Sequence, residues 1–130
     1  MPADGSSWDG ERALERLGGD ADLFREIIQI FLQEAPKHMT ELQQALVHGD
    51  SAATERIAHT LKGELSCLGI LQASHNAGEL EDAGRNGDLE RAASIHTLLE
   101  KDVDILLITM RYALAGNPPG LSLVQPSGAN

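Results

Sequence analysis

Cysteine is almost absent from the sequence: Cys67 is the only one among 130 residues, so no internal disulfide can form. The simplest explanation is a reducing, cytoplasmic setting, which leaves open a longer parent protein that is anchored in a membrane. We expect Cys67 to be a small core residue rather than a reactive thiol. Aromatic residues make up only 3% of the chain, so the core must be aliphatic.

Basic residues are also scarce, with ten Lys and Arg against twenty Asp and Glu and a formal net charge of -10. This balance argues against nucleic acid and anionic membranes as partners and favours a protein. No apolar run approaches the roughly 18 residues of a membrane span, and no basic stretch leads into an apolar one near the N-terminus. We therefore expect no direct membrane contact.

The period-two alternation of β-strands is missing, whereas apolar residues at helical spacing recur along the chain. The segments with this spacing have Asp or Ser before them and Gly after them, so they predict one short helix and four longer ones. Pro36 should kink or break the first long helix near residues 34–35. The predicted helices cover about 11–17, Asp20 to Gly49, Asp50 or Ser51 to Gly69, Leu71 to Asn86-Gly87, and Leu89 to about Ala115.

Short connections between these segments make successive helices antiparallel neighbours. The expected fold is therefore all-α: an up-and-down antiparallel four-helix bundle with a short extra N-terminal helix, formed by residues 9–115 of a monomer. Residues 1–8 are expected to be a flexible N-terminus in which Trp8 covers one end of the core. Residues 116–130, rich in Pro, Gly and Ser, are expected to be a disordered tail or linker.

The predicted helix after Asp50 has two different faces. At about 100° per residue, Ile57, Leu61, Leu65 and Leu68 share an apolar side that suits the core. A histidine lies on the opposite side, so it should be exposed. The outer arc, roughly 120° wide at that advance, contains Ala52, Glu55, Arg56, His59, Lys62, Gly63 and Ser66.

The outer face carries the residues that suit phosphoryl chemistry. Free imidazole titrates near pH 6.5, so much of it offers an unprotonated nitrogen that can attack phosphorus. His59 is in the middle of a helix without free backbone amides, so the side-chain cation of Lys62, one turn on, is the natural stabiliser of an incoming anion. A helix-interior glycine costs about 1 kcal/mol relative to alanine, so Gly63 marks either close approach by a partner or a tolerated packing position.

These residues resemble the phosphorylation motif of histidine-containing phosphotransfer (HPt) domains, roughly His-x-Leu-Lys-Gly followed by a Gly ten positions after the His. The motif is present as His59-Thr60-Leu61-Lys62-Gly63 with Gly69. Further points of resemblance are the Leu80-Glu81 pair, the Gly18-Gly19-Asp20 run and the Gly49-Asp50 turn, so that the similarity covers about Asp9 to Leu114.

The resemblance implies a phosphocarrier that accepts a phosphoryl group from the aspartyl phosphate of one receiver domain and passes it to the aspartate of another. His59 Nε2 would carry the group, Lys62 would be its charge partner, and Gly63 would give clearance beneath the docking receiver. Glu81, on the next predicted helix, would accept the Nδ1 proton of His59; the alternative is an ordinary solvated carboxylate. The implied contact residues for the receiver are Ala52, Glu55, Arg56, Gly63, Glu64 and Ser66.

The same resemblance implies that the receiver supplies Mg²⁺ and most catalytic groups, so this chain needs no cofactor and is not itself an enzyme. The chain departs from the family pattern at Glu64 and Leu65, where small residues are usual, and at Ile70, where Ala is common. These departures affect the identity of the partner more than the ability of the chain to carry a phosphoryl group. The parent is either a free phosphotransfer protein or a hybrid sensor histidine kinase with this domain at its C-terminus.

The other histidines have plainer interpretations. We expect His38, His48 and His75 on the surface and His96 partly buried in the bundle. His75 and Glu79 share a helical face, but two ligands are a weak metal signal, so no metal site is predicted.

Two rival functions remain open from the sequence. One is an HPt-like interaction module that binds and regulates a receiver or another signalling protein without phosphotransfer. The other is an enzyme that uses His59 and Lys62 as base and acid, although no cofactor motif supports it and a convex helix face excludes water poorly.

Overall fold

The computed structural model describes residues 8–115, which form five α-helices and, within that range, no strand. The predicted flexible segment before Trp8 and the predicted tail 116–130 lie outside the described residues. The helices are α1 (Gly10–Arg16), α2 (Ala21–Val47), α3 (Ser51–Cys67), α4 (Leu71–Arg85) and α5 (Leu89–Leu114).

Aspartate caps begin four of the five helices, as the sequence predicted. The carboxylates of Asp9, Asp20, Asp50 and Asp88 each accept a hydrogen bond from the backbone amide three residues later, at 3.0–3.1 Å. Each contact satisfies an amide that has no partner within the helix. Gly69 directly follows α3 and its C-cap Leu68. Its φ of +76° is a backbone conformation that favours glycine.

The four long helices form a closed ring of neighbours, in which α3 packs between α2 and α4 and α5 packs between α4 and α2. Helix α1 lies against α2. The core between them is aliphatic, with fully buried Ile28, Leu42, Leu61, Leu65, Leu80, Leu99, Val103, Leu106 and Met110. The predicted four-helix bundle with a short N-terminal helix is confirmed.

Trp8 closes one end of this core, as expected. Its ring stacks on Phe24 with 5.9 Å between centroids, and its Nε1 donates to the Leu68 carbonyl at 3.3 Å. These contacts join the chain before α1 to α2 and to the end of α3.

Of the kink or break predicted at Pro36, the break is wrong, because α2 is one helix of 27 residues that continues through Pro36; the kink stays a prediction. The missing amide costs about 3 kcal/mol in a helix interior. Phe31, Ala35 and Leu42 on either side of the proline are buried in the bundle. We infer that this packing outweighs the local cost.

Helices α3 and α4 approach each other closely at Gly84. A Cβ atom at that position would lie 2.8 Å from the backbone nitrogen of Glu55 and 3.1 Å from its Cα. The absence of a side chain therefore permits the backbone contact that brings α4 up to the His59 helix.

Candidate functional site

The outer face of α3 is exposed as the helical spacing predicted. The His59 side chain is 66% exposed, and Ala52, Arg56, Gly63 and Ser66 are also exposed. Glu55 and Lys62 are half-buried at the edge that meets α4. The face therefore presents the imidazole to any partner that approaches α3 from outside.

One edge of the imidazole is held by α4. His59 Nδ1 lies 3.0 Å from Glu81 Oε2, although the residues are 22 positions apart in sequence. Within residues 8–115 no hydrogen bond engages the other ring nitrogen, Nε2. The structure therefore brings together the histidine and the carboxylate that the sequence analysis paired.

The Glu81 carboxylate is buried, with only 9% of its side chain exposed, so the solvated-carboxylate alternative is wrong. A hydrogen bond from Lys62 is the largest cause that lowers the pKa of Glu81; burial opposes it, and His59 lowers the pKa further. Glu81 is therefore ionised at neutral pH and can only accept hydrogen bonds. The hydrogen at Nδ1 must belong to the ring, so a neutral His59 has its lone pair on Nε2.

Lys62 is bound to this carboxylate and does not extend freely into solvent. Its Nζ lies 2.9 Å from Glu81 Oε1. A Cβ at Gly78 would lie 3.3 Å from Lys62 Cδ, so the lysine stem crosses α4 at a position that has no side chain. Gly78, for which the sequence predicted no role, therefore gives Lys62 its path to Glu81.

Arg85 is a second residue that the sequence analysis missed. Its Nη2 lies 3.1 Å from Glu81 Oε2, and its Nε lies 2.9 Å from Glu55 Oε2. The available signal was its position one helical turn after Glu81, the i, i+4 spacing at which side chains meet. Glu55, predicted as a receiver contact, is thus also an ion-pair partner within the chain.

Gly63 borders open space. A Cβ built there would meet nothing within 4 Å outside the local helix backbone. The packing interpretation of Gly63 is therefore wrong within the described chain, because no neighbour needs the missing side chain. Gly63 adjoins His59 on the exposed face, where a side chain would project outward.

Glu64 turns away from His59 towards α2, where its Oε1 lies 3.3 Å from His38 Nδ1. Burial is the largest cause that raises the pKa of Glu64; His38 opposes it, and the charge of Glu34 adds to it. The expectation of a surface His38 is wrong, because α2 and α3 leave 18% of its side chain exposed. Leu65 and Ile70, the other departures from the family pattern, are core residues.

The core prediction for Cys67 is wrong, because this residue is exposed. At about 100° per residue, Cys67 falls beside Arg56 and Gly63, outside the arc of Leu61, Leu65 and Leu68. Its neighbour Ser66 shares a short hydrogen bond with Ser74 of α4, and Ser74 also donates to the Lys62 carbonyl at 3.3 Å.

The remaining histidines do not form a metal site. His48 is exposed, and His75 Nε2 lies 3.3 Å from Glu79 Oε2. His96 is more deeply buried than expected, and its Nε2 has no hydrogen-bond partner in the part of the chain that the structure describes. Among residues 8–115, no three His, Cys, Asp or Glu side chains converge as metal ligands would.

An open groove between α2 and α3 lies next to the surface around His59. Residues His38, Glu41, Arg56 and Thr60 contribute to its lining, and the triad of His59, Lys62 and Glu81 lies outside it. With 66% of its side chain exposed, His59 is in a position that does not favour the acid–base enzyme hypothesis, because an open surface excludes water poorly. None of the helices within residues 8–115 is both long and apolar enough to cross a membrane.

Comparisons with solved structures agree with this architecture. Histidine-containing phosphotransfer protein B (HptB) from Pseudomonas aeruginosa PAO1 superposes with a TM-score of 0.77 at 25% identity, over 84% of this chain and 96% of that chain. The HPT domain of a sensor hybrid histidine kinase from Shewanella gives a TM-score of 0.73 at 21% identity, over 88% of this chain and 99% of that one, and shows the same fold.

Sequence comparison points the same way. The phosphorelay intermediate protein rdeA of Dictyostelium discoideum is 24% identical over 86 residues, which are 66% of this chain and 34% of the relative. The chain thus spans about a third of the length of this curated relative. The family model of the Hpt domain matches residues 26–108. Because this match covers more than half of the chain and includes the whole of α3 and α4, the chain belongs to the Hpt domain family.

Proposed function

We propose that this chain is a phosphorelay intermediate that accepts a phosphoryl group on His59 Nε2 from a receiver-domain aspartyl phosphate and passes it to the aspartate of another receiver. The observation that carries the proposal is the contact of His59 Nδ1 with the buried, ionised Glu81 at 3.0 Å. This contact assigns the ring hydrogen to Nδ1 and leaves a lone pair on the exposed Nε2.

In the forward step, the Nε2 lone pair attacks phosphorus, a P–N bond forms, and the P–O bond to the receiver aspartate breaks. The aspartate leaves as a carboxylate, and the phosphorylated ring, which keeps its Nδ1 hydrogen, becomes positively charged. Glu81 stabilises that charge through the hydrogen bond at Nδ1. In the second step another receiver aspartate attacks phosphorus, the P–N bond breaks, and the ring returns to its neutral form.

The receiver completes the site, so we propose that Mg²⁺ and the remaining catalytic groups belong to it and that this chain binds no cofactor of its own. The convex face of α3 fits this division, since a second protein must cover the reacting atoms to exclude water. The chain is accordingly a phosphocarrier, and its contact residues are the exposed side chains around His59, with Gly63 as the point of closest approach.

A cytoplasmic location fits this role, and the single cysteine fits a reducing compartment. A hybrid kinase parent stays a proposal beside the free phosphotransfer protein. A module that binds receivers without phosphotransfer is less favoured, because His59, Lys62 and Glu81 form a connected site whose ring tautomer suits attack on phosphorus.

The direct test is phosphoryl labelling. Each receiver domain of the source organism is phosphorylated with a radiolabelled small phosphodonor and Mg²⁺ and then mixed with this chain. We expect an acid-labile, alkali-stable label on the wild type and none on His59→Gln.

His75→Gln is the matched control, because His75 is 65% exposed and also contacts a glutamate, Glu79, but does so through Nε2. This control should label like the wild type. Label that persists on His59→Gln would falsify the site assignment. A wild type that binds a phosphorylated receiver and takes no label would instead support the interaction module.

A further inference from the structure

Arg85 is a cation whose arrangement the phosphotransfer step does not by itself explain. Each nitrogen of its guanidinium contacts a different carboxylate: Nε contacts Glu55 at 2.9 Å, Nη1 contacts Asp82 at 2.9 Å, and Nη2 contacts Glu81 at 3.1 Å. The side chain is 52% exposed. Three contacts to two helices nonetheless fix the orientation of this planar group, as a single contact would not.

Arg85 and His59 share one oxygen of Glu81. Both Arg85 Nη2 and His59 Nδ1 lie within hydrogen-bond distance of Oε2, whereas Lys62 Nζ contacts Oε1. Rotation of the carboxylate would break contacts at both oxygens. Removal of one partner from a buried ionised group is costly, because the remaining charge is left poorly compensated. The two cations therefore hold both the charge and the plane of Glu81.

Lys62 would have a second partner for its charge once His59 carries a phosphoryl group. A phosphoryl group on His59 would attract the ammonium, which is a mobile point charge on a flexible stem. As Lys62 moves towards the phosphoryl group, its contact with Glu81 Oε1 weakens. Arg85 is not free to follow it, because Glu55 and Asp82 hold the guanidinium in place.

We propose that Arg85 is a positioning residue that keeps Glu81 oriented and charge-compensated against His59 Nδ1 while Lys62 turns to the phosphoryl group. The inference rests on the proposed phosphotransfer at Nε2. A compensated Glu81 is less able to remove the Nδ1 hydrogen from the phosphorylated ring. The ring then stays positively charged, and the P–N bond breaks more readily when a receiver aspartate attacks.

The first measurement is the ¹⁵N NMR signature of the His59 ring in the unphosphorylated full chain at neutral pH. The wild type should show the tautomer with hydrogen on Nδ1. In Arg85→Gln the two ring nitrogen shifts should move towards each other, as expected when the ring exchanges between tautomers. Arg85→Lys, which keeps a cation near Glu81, should restore part of the wild-type signature. Arg91→Gln is the control, because the Arg91 side chain contacts Glu79 and not Glu81; it should leave the signature unchanged.

The second measurement is phosphoryl transfer from the labelled chain to a receiver at saturating receiver concentration. We expect Arg85→Gln to slow this rate about 10-fold, the lower end of the effect typical of residues that orient a reactive group. The apparent affinity for the receiver should stay at the wild-type value. Arg85→Lys should be intermediate, and Arg91→Gln, which removes an arginine that contacts Glu79 and not Glu81, should match the wild type.

Wild-type ring shifts together with a wild-type saturating rate in Arg85→Gln would overturn the inference. So would an Arg85→Gln that differs from the wild type only in thermal stability, because Arg85 would then merely join α3 to α4. These failures differ from failure of the proposed function, in which the wild-type chain takes no label at all. The ring signature is measured without phosphate, so it tests the positioning role in either case.

Discussion

Two glutamates near His59, Glu64 on α3 and Glu81 on α4, have pKa values that are shifted in opposite directions. Lys62 lowers the pKa of Glu81 although the carboxylate is buried. Among residues 8–115, Glu64 forms an ion pair with His38 alone, and burial there raises the pKa of Glu64. The difference arises from the cations within reach, since an ionised carboxylate is stable in a protein when charged donors replace its water.

We predict that Glu64→Gln stabilises the bundle at neutral pH. The folded-state pKa of Glu64 is above its ordinary value of 4.5, so the ionised carboxylate is less stable in the folded state than in the unfolded state. This cost is present above the folded pKa and disappears as the pH falls below 4.5, where both states are protonated. Urea unfolding at several pH values should show a gain from Glu64→Gln at pH 7 that shrinks on acidification.

Two comparisons make this prediction sharper. In a His38→Gln background, which lacks the favourable charge of His38, the gain from Glu64→Gln should be larger. Glu81→Gln should have the opposite sign: the lowered pKa of Glu81 gives stability above 4.5 that is lost as the pH falls through the folded value. A Glu64→Gln variant less stable than its parent at pH 7 in both backgrounds would contradict the prediction.

At the scale of helices, Gly63 and Gly84 are both helix-interior glycines but have different surroundings. A Cβ at Gly84 would meet the backbone of Glu55, whereas one at Gly63 would meet nothing within 4 Å. Helix propensity by itself does not distinguish the two positions. Only the α3–α4 packing separates a glycine that the fold needs from one that the fold does not need.

We predict that alanine at these two positions changes stability in opposite directions. Gly84→Ala should lower the free energy of unfolding by about 1–3 kcal/mol, because the helix backbones must separate. Gly63→Ala should raise it by about 0.5–1 kcal/mol, because alanine is the better helix former and nothing obstructs it. Urea unfolding curves measure both effects, and equal losses at the two positions would show that Gly63 also has a packing role.

A larger side chain tests whether Gly63 serves docking. Gly63→Gln should keep the fold and weaken receiver binding about 10-fold, a loss of about 1.4 kcal/mol. Ala93→Gln is the matched control, because Ala93 is exposed on α5, on the opposite side of the ring of helices from α3. Titration calorimetry with the receiver identified by labelling measures both variants, and wild-type affinity for Gly63→Gln would remove the proposed clearance role.

The helices themselves were predictable because their signals are local. Asp20, Asp50 and Asp88 cap the helices expected from them, and Gly49, Gly69 and Gly87 follow the helix ends. A break at Pro36 was expected because the cost of the proline is local, whereas the packing that keeps α2 continuous is tertiary. The error at Cys67 has a different cause: its residue type favours the core, although its angular position on α3 directs it outward.

Across the whole molecule, the sequence pattern predicted the bundle and which face of α3 is exposed, and the resemblance paired His59 with Glu81. Neither the pattern nor the resemblance predicted that Lys62 and Arg85 converge on the carboxylate of Glu81, because that geometry depends on the α3–α4 approach at Gly84. Nor did either of them predict the path of Lys62 over Gly78. The motif is thus readable from sequence, whereas its supporting contacts depend on how two helices meet.

The last prediction concerns the oligomeric state: the chain should be a monomer in solution. Its formal net charge of -10 opposes self-association. Among residues 8–115, the exposed large apolar side chains lie mainly on α2 and α5; Leu98, Ile105 and Ile108 on α5 are the contact that we test for a second copy. Sedimentation equilibrium at low and high salt should give the mass of one chain at both, and Ile105→Lys should leave that mass unchanged. A dimer that strengthens as salt screens the charge and dissociates with Ile105→Lys would instead assign α5 as a self-association face.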